Sequence, residues 1–127
     1  MTERGDQANG TQPVVEIIGP VAAVRPTGEI DIATAPGLSR ALDEALGLLR
    51  TSRADRIVAD CSRVTFCDSS GLNALLAARR EAARTNAELH LANPAPQLQR
   101  LLQMSGADVL FPREDDLPAG ARPPAGG

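Results

Sequence analysis

The stretch from Arg56 to Ala83 leaves a chain like this the fewest options. Ile57, Val58 and Ala59 are apolar in succession, which suits a short strand covered on both faces, and Arg56–Asp60 reads as that strand. From Leu72 the period changes: Leu72, Leu75, Leu76, Arg79 and Ala83 recur at helical spacing, with Ala at many positions between them. Val64-Thr65-Phe66-Cys67-Asp68-Ser69-Ser70-Gly71 separates the two periods and reads as a loop whose polar trio opens the helix. Strand followed by helix is the repeating unit of an α/β sheet.

The start of that helix carries the chemistry. Asp68 and Ser69 are both good N-caps, because a short side-chain oxygen accepts from a free first-turn N–H. Gly71 costs roughly 1 kcal/mol relative to Ala inside a helix, so either a tight turn or the close approach of another molecule has to explain it. Two serines at a helix N-terminus also suit a phosphate, since unpaired N–H donors and about half a positive charge collect there. Asp68 acts in the opposite sense by placing a like charge beside it. Helix capping alone accounts for the same three residues.

Elsewhere the pattern alternates. Val14–Ile18 and Val21–Val24 read as strands joined at Gly19-Pro20, a hairpin, with Pro26 breaking the second. Thr27-Gly28-Glu29-Ile30-Asp31 closes this unit as a turn leading into a helix over about Ala35–Leu49. Thr34 is the expected N-cap, Pro36 falls in the first turn, and Leu38, Leu42, Ala45, Leu46 and Leu49 form one stripe. The helix after Gly71 should end near Arg84-Thr85-Asn86. Glu88–Leu91 alternates as a half-buried strand, and a third helix with Leu98, Leu101 and Leu102 inward should stop at Ser105-Gly106. Asp108–Phe111 reads as a last strand. Residues 1–13 form a polar leader, and 112–127, rich in Pro, Gly and acid, a solvated tail, both expected to be disordered.

Composition removes several function classes. At 127 residues the chain makes one domain with a single core. A net charge of −3 and the absence of Trp and Tyr argue against a nucleic-acid surface. No stretch approaches about 18 uninterrupted apolar residues and no signal pattern opens the chain, so a cytoplasmic setting is expected, with Cys61 and Cys67 as reduced packing residues. A serine hydrolase would need Ser69 on a nucleophile elbow with His90, the single histidine, as base. Cys67 fits such an elbow poorly, and His90 lies between Leu89 and Leu91 on a strand. One His and two Cys make no zinc site, and there is no Walker-type loop. The run Glu114-Asp115-Asp116 reads as solvated charge.

Phe66-Cys67-Asp68-Ser69-Ser70-Gly71-Leu72 resembles the signature loop of the STAS domain family, in particular the small bacterial anti-sigma factor antagonists. Thr27–Asp31, Ile57–Asp60 and Met104-Ser105-Gly106-Ala107 follow the family's order, so the resemblance covers about Val14 to Phe111. It implies an α/β STAS fold over residues 14–111, with a mixed sheet of about four to five strands and helices packed against it. It further implies that Ser69 is phosphorylated by an anti-sigma factor with serine kinase activity and restored by a protein phosphatase. Asp31, Asp68, Ser69, Ser70 and Gly71 would form the partner surface, Gly71 letting the partner backbone approach. The resemblance implies no catalytic residue, cofactor or metal, no contact with nucleic acid or membrane, and a monomer or weak dimer. STAS domains also serve as accessory subunits of ABC-type transporters, which is the alternative; a small serine hydrolase is the remote one. Family members commonly end in a further amphipathic helix, which the Pro- and Gly-rich end of this chain does not offer.

Overall fold

Two alternating apolar rows on each central strand decide the architecture, because each row needs its own cover. In a computed structural model, which describes residues 12–117, strands β1 (Val15–Ile18) and β2 (Val21–Val24) form the expected hairpin, with Ile18 opposite Val21. Gly19 takes a φ of +59°, which the two-residue connection requires. Strand β3 (Thr27–Ile30) leads to helix α1 (Ala35–Arg50). Strands β4 (Arg56–Asp60) and β5 (Arg63–Cys67) precede α2 (Ser69–Ala83), followed by β6 (Glu88–Ala92) and α3 (Pro96–Ser105). A short 3-10 turn (Ala107–Leu110) and β7 (Arg113–Glu114) complete the described elements.

The main sheet is mixed and five-stranded, in the order β1-β2-β4-β6-β7, antiparallel only between β1 and β2. One of its faces presents Ala22, Val24, Ile57, Ala59, Leu89 and Leu91 to the helices. The α1 stripe of Leu38, Leu42, Ala45, Leu46 and Leu49 is buried there, together with Leu72, Leu75, Ala78 and Ala82 of α2. Fully burying a Leu or Ile side chain is worth about 1.5–3 kcal/mol, so this face supplies the main drive to fold. The opposite face carries a smaller cluster of Ile18, Val21, Ala23, Val58 and Ala92, covered by Leu117.

Four expectations need correction. Thr27–Ile30 is a strand and not a turn: it pairs in parallel with β5 as a separate two-stranded sheet, and the register shifts between Gly28 and Glu29, where Gly28 has φ +77°. The segment before Asp68 is correspondingly the strand β5 and not a loop. Asp108–Phe111 is not a strand, because Gly106 ends α3 in the left-handed region and Arg79 Nε donates to the Leu110 carbonyl at 2.8 Å, anchoring the 3-10 turn. The last strand comes later, at Arg113–Glu114, and Leu117 is 6% exposed, so the domain reaches beyond residue 111 into the expected tail. Residues 1–11 of the expected leader and 118–127 of the tail lie outside the described residues.

Candidate functional site

The polar trio sits where β5 ends and α2 begins. Asp68 is the N-cap: its Oδ1 accepts from the Ser70 N–H at 2.8 Å, and its carbonyl accepts from the Leu72 N–H at 3.1 Å. Ser69 is the first helical residue and is exposed, and its hydroxyl has no hydrogen-bond partner among the described residues. Of the two capping candidates, Asp68 therefore does the capping and leaves Ser69 Oγ facing solvent. Ser70 is half-buried.

Gly71 has an internal reason. It is buried, and a Cβ there would lie 2.6 Å from Cys67 Sγ and 2.7 Å from Ile30 Cγ2. The close approach expected of a partner's backbone is made by this chain's own β3 and β5.

The loop after β3 comes alongside the helix start, because the Asp68 N–H donates to the Ile30 carbonyl at 3.1 Å. Asp31 then closes its own turn, its Oδ1 accepting from the N–H groups of Ala33 at 3.0 Å and Thr34 at 3.1 Å. Thr34 does not cap α1 with its side chain. Its hydroxyl donates to the Glu29 carbonyl at 2.9 Å and accepts from the Asp31 N–H at 2.9 Å, which ties the loop to β3. The fold thus brings Asp31 and Asp68 to one edge with Ser69. Two features of this edge had no signal in the sequence pattern. Ile32, 81% exposed, stands next to Asp31. Gln97 reaches from the first turn of α3 to the backbone of Cys67, its Oε1 accepting from the Cys67 N–H at 2.8 Å and its Nε2 donating to the Cys67 carbonyl at 2.9 Å.

The remaining chemistry-bearing residues lie elsewhere. Cys61 and Cys67 are free and buried. Burial pushes the Cys61 thiol up to about 12, with the neighbouring Cys67 and Asp60 adding to it. Burial, with Asp68, pushes Cys67 up to about 11. Neither thiol is poised as a thiolate. His90 shares its sheet face with Val58 and Ala92, away from the helices, and both ring nitrogens are engaged: Nδ1 with Glu114 Oε2 at 2.8 Å and Nε2 with Glu88 Oε1 at 2.7 Å. It is not arranged as a base for Ser69. Glu114, expected to be solvated, also accepts from Arg56 Nε at 2.7 Å. Burial raises its carboxyl pKa, but the hydrogen bonds from Arg56 and His90 outweigh that and hold it below the ordinary value.

A small mixed sheet backed by helices, with an Asp-Ser-Ser-Gly helix start beside an Asp-bearing loop, defines a class, and the STAS domain family matches residues 12–118. The chain belongs to that family. It is 30% identical over 96 residues to an anti-sigma F factor antagonist of Paenibacillus polymyxa, a match spanning 76% of this chain and 80% of that protein. Among solved structures it resembles an anti-sigma factor antagonist from Mycobacterium paratuberculosis (30% identity, TM-score 0.68, covering 83% of this chain and 86% of that one). The fold is also that of the Bacillus cell fate determinant SpoIIAA in its phosphorylated form (22% identity, TM-score 0.63, 82% and 92% covered). Among the described residues no helix is long and apolar enough to cross a membrane.

Proposed function

We propose that this chain is a cytoplasmic anti-sigma factor antagonist controlled at Ser69. Unphosphorylated, the edge formed by Asp31, Ile32, Asp68, Ser69 and Ser70 binds an anti-sigma factor that is itself a serine kinase, and the sigma factor held by that protein is released. Gly71 contributes from beneath, by letting α2 start against Ile30 and Cys67. The observation that carries this reading is the exposed Ser69 hydroxyl, which has no hydrogen-bond partner among the described residues because Asp68 caps the helix in its place.

The only reacting group this chain supplies to the switching step is that hydroxyl. Ser69 Oγ forms a bond to the γ-phosphorus of ATP, the bond from that phosphorus to the bridging oxygen breaks, the seryl proton passes to a base of the kinase, and ADP leaves. A phosphatase returns the hydroxyl by hydrolysis. Phosphate adds about −1.5 to −2 charges at neutral pH, at an edge already carrying Asp31 and Asp68. Weakening a complex a thousandfold requires about 4 kcal/mol, and like charges brought together across an interface cost several kcal/mol. The switch therefore requires no change of fold.

The test is incubation with ATP and the anti-sigma kinase from the native cell, followed by mass mapping. Phosphate is expected on Ser69, absent in Ser69→Ala and retained in Ser70→Ala. Ser69→Ala should keep the partner, and Ser69→Asp should bind it poorly. Phosphate on Ser70 alone moves the switch by one residue. None on either serine, with the kinase active on another substrate, refutes the mechanism.

A further inference from the structure

We propose that Gln97 is a positioning residue for the acceptor serine: its side-chain amide substitutes for a missing neighbour strand at Cys67 and fixes the backbone that presents Ser69 for phosphoryl transfer. This rests on Ser69 being the acceptor.

Along a strand the N–H and C=O of one residue point to one edge and those of the next residue to the other. Strand β5 has β3 on one edge only, and there the Asp68 N–H reaches the Ile30 carbonyl at 3.1 Å. The N–H and C=O of Cys67 point the other way, where no strand lies among the described residues. A primary amide carries a donor and an acceptor side by side, as the N–H and C=O of a single strand residue are. Gln97 offers both at once, at 2.8 and 2.9 Å, closing a ring like that of a strand pair.

Cys67 is fully buried, so in the intact protein the Gln97 amide and not water satisfies these two groups. Gln97 is itself held: it follows Pro96 at the start of α3 and precedes Leu98, which is 1% exposed. The peptide groups flanking Cys67 are thus gripped by α3 on one side and β3 on the other, one residue before the cap and two before the acceptor. Gln97 has no hydrogen bond to Ser69 and takes no part in the bond exchange at phosphorus. Its effect is on where the attacking oxygen stands, and a misplacement of about 1 Å can cost on the order of a hundredfold in rate. Because the β3 bond survives its loss, a smaller effect is expected.

The experiment follows transfer from γ-labelled ATP by the serine kinase fraction of the native cell to wild type, Gln97→Ala, Gln97→Glu and, as a stability control on α1, Leu48→Ala. Glutamate keeps an acceptor for the Cys67 N–H but has no donor for its carbonyl. At saturating antagonist, Gln97→Ala should be labelled about tenfold more slowly, with Gln97→Glu between it and wild type and the half-saturating concentration within about twofold. Leu48→Ala should be labelled at the wild-type rate despite its lower melting temperature. Should Gln97→Ala not fold, Gln97→Glu decides the matter. Equal labelling of the Gln97 variants and wild type overturns the inference and leaves Ser69 as acceptor. Slowing of Leu48→Ala to the same degree overturns it too, since lost stability alone would then explain the rate. A wild-type Ser69 that stays unlabelled, by a fraction active on another substrate, overturns both.

Discussion

Replacing Gly71 by alanine gives the cleanest measure of how tightly the candidate site is tied to the core. The substitution has two opposed effects. Alanine favours a helix over glycine by about 1 kcal/mol, so an open position would be stabilised. Here the added methyl would meet Cys67 Sγ at 2.6 Å and Ile30 Cγ2 at 2.7 Å, with Ile30 Cβ at 3.3 Å. The first two are closer than real contacts allow, and both partners are buried, Cys67 at 0% and Ile30 at 4% exposure. They cannot swing into solvent, so α2 must shift away from β3 and β5. Overpacking of this kind costs about 1–3 kcal/mol. With two simultaneous clashes the upper half applies, and after the helix-propensity gain Gly71→Ala should destabilise by roughly 1–2 kcal/mol. For a domain of this size that lowers the melting temperature by about 4–8 °C. Urea unfolding followed by circular dichroism, with the slope unchanged, is the direct assay. In a Cys67→Ala background one clash is gone, so the same change should cost less, with a coupling of about 0.5 kcal/mol or more. A Gly71→Ala protein as stable as wild type or more so, or a coupling of zero, would refute the packing argument and return Gly71 to a role toward a partner.

Two further outcomes follow from the same coordinates. Glu114 has its carboxyl pKa held below the ordinary 4.5 by Arg56 and His90, so it adds stability that is complete above that value and lost as pH falls through the lower folded value. Glu114→Gln should therefore flatten the acid limb of a stability–pH curve below about pH 4.5, and an unchanged limb would remove Glu114 from the linkage. Cys61 and Cys67, buried and raised to about 12 and 11, should both resist an aromatic disulfide reagent at pH 8 in the folded protein and both react in denaturant. Rapid reaction of either thiol in the native state would contradict its burial.

How much was legible in the sequence varied with how local the cause was. Asp68 could be recognised as a cap because the bond it makes, to Ser70 N–H, spans two residues. Ser69 was legible as a helix-start hydroxyl, but that it has no partner among the described residues depended on Asp68 winning the competition to cap. Thr34 was placed correctly as the residue before α1, yet its hydroxyl serves Glu29 and Asp31, a choice set by the loop's path beside β3. Gln97 carried no signal, since its partner lies 30 residues away.

The sequence by itself determined the elements whose apolar residues repeat with a regular period: the hairpin, β4, β6 and the three helices, where local spacing states which face must be buried. It also determined the order of the family's motifs, and with it the fold. The tertiary structure alone decided the rest. Thr27–Ile30 holds one large apolar residue and a glycine, and becomes a strand only because β5 arrives alongside to satisfy its backbone. Arg113–Glu114 becomes an edge strand, and Glu114 an ion-pair partner, only because β6 and Arg56 are already in place. Gly71 is required by side chains from two other elements that no neighbour in sequence reveals. Periodicity records what a segment must bury, whereas hydrogen-bond partners and close contacts are set by whichever segments the finished sheet brings together.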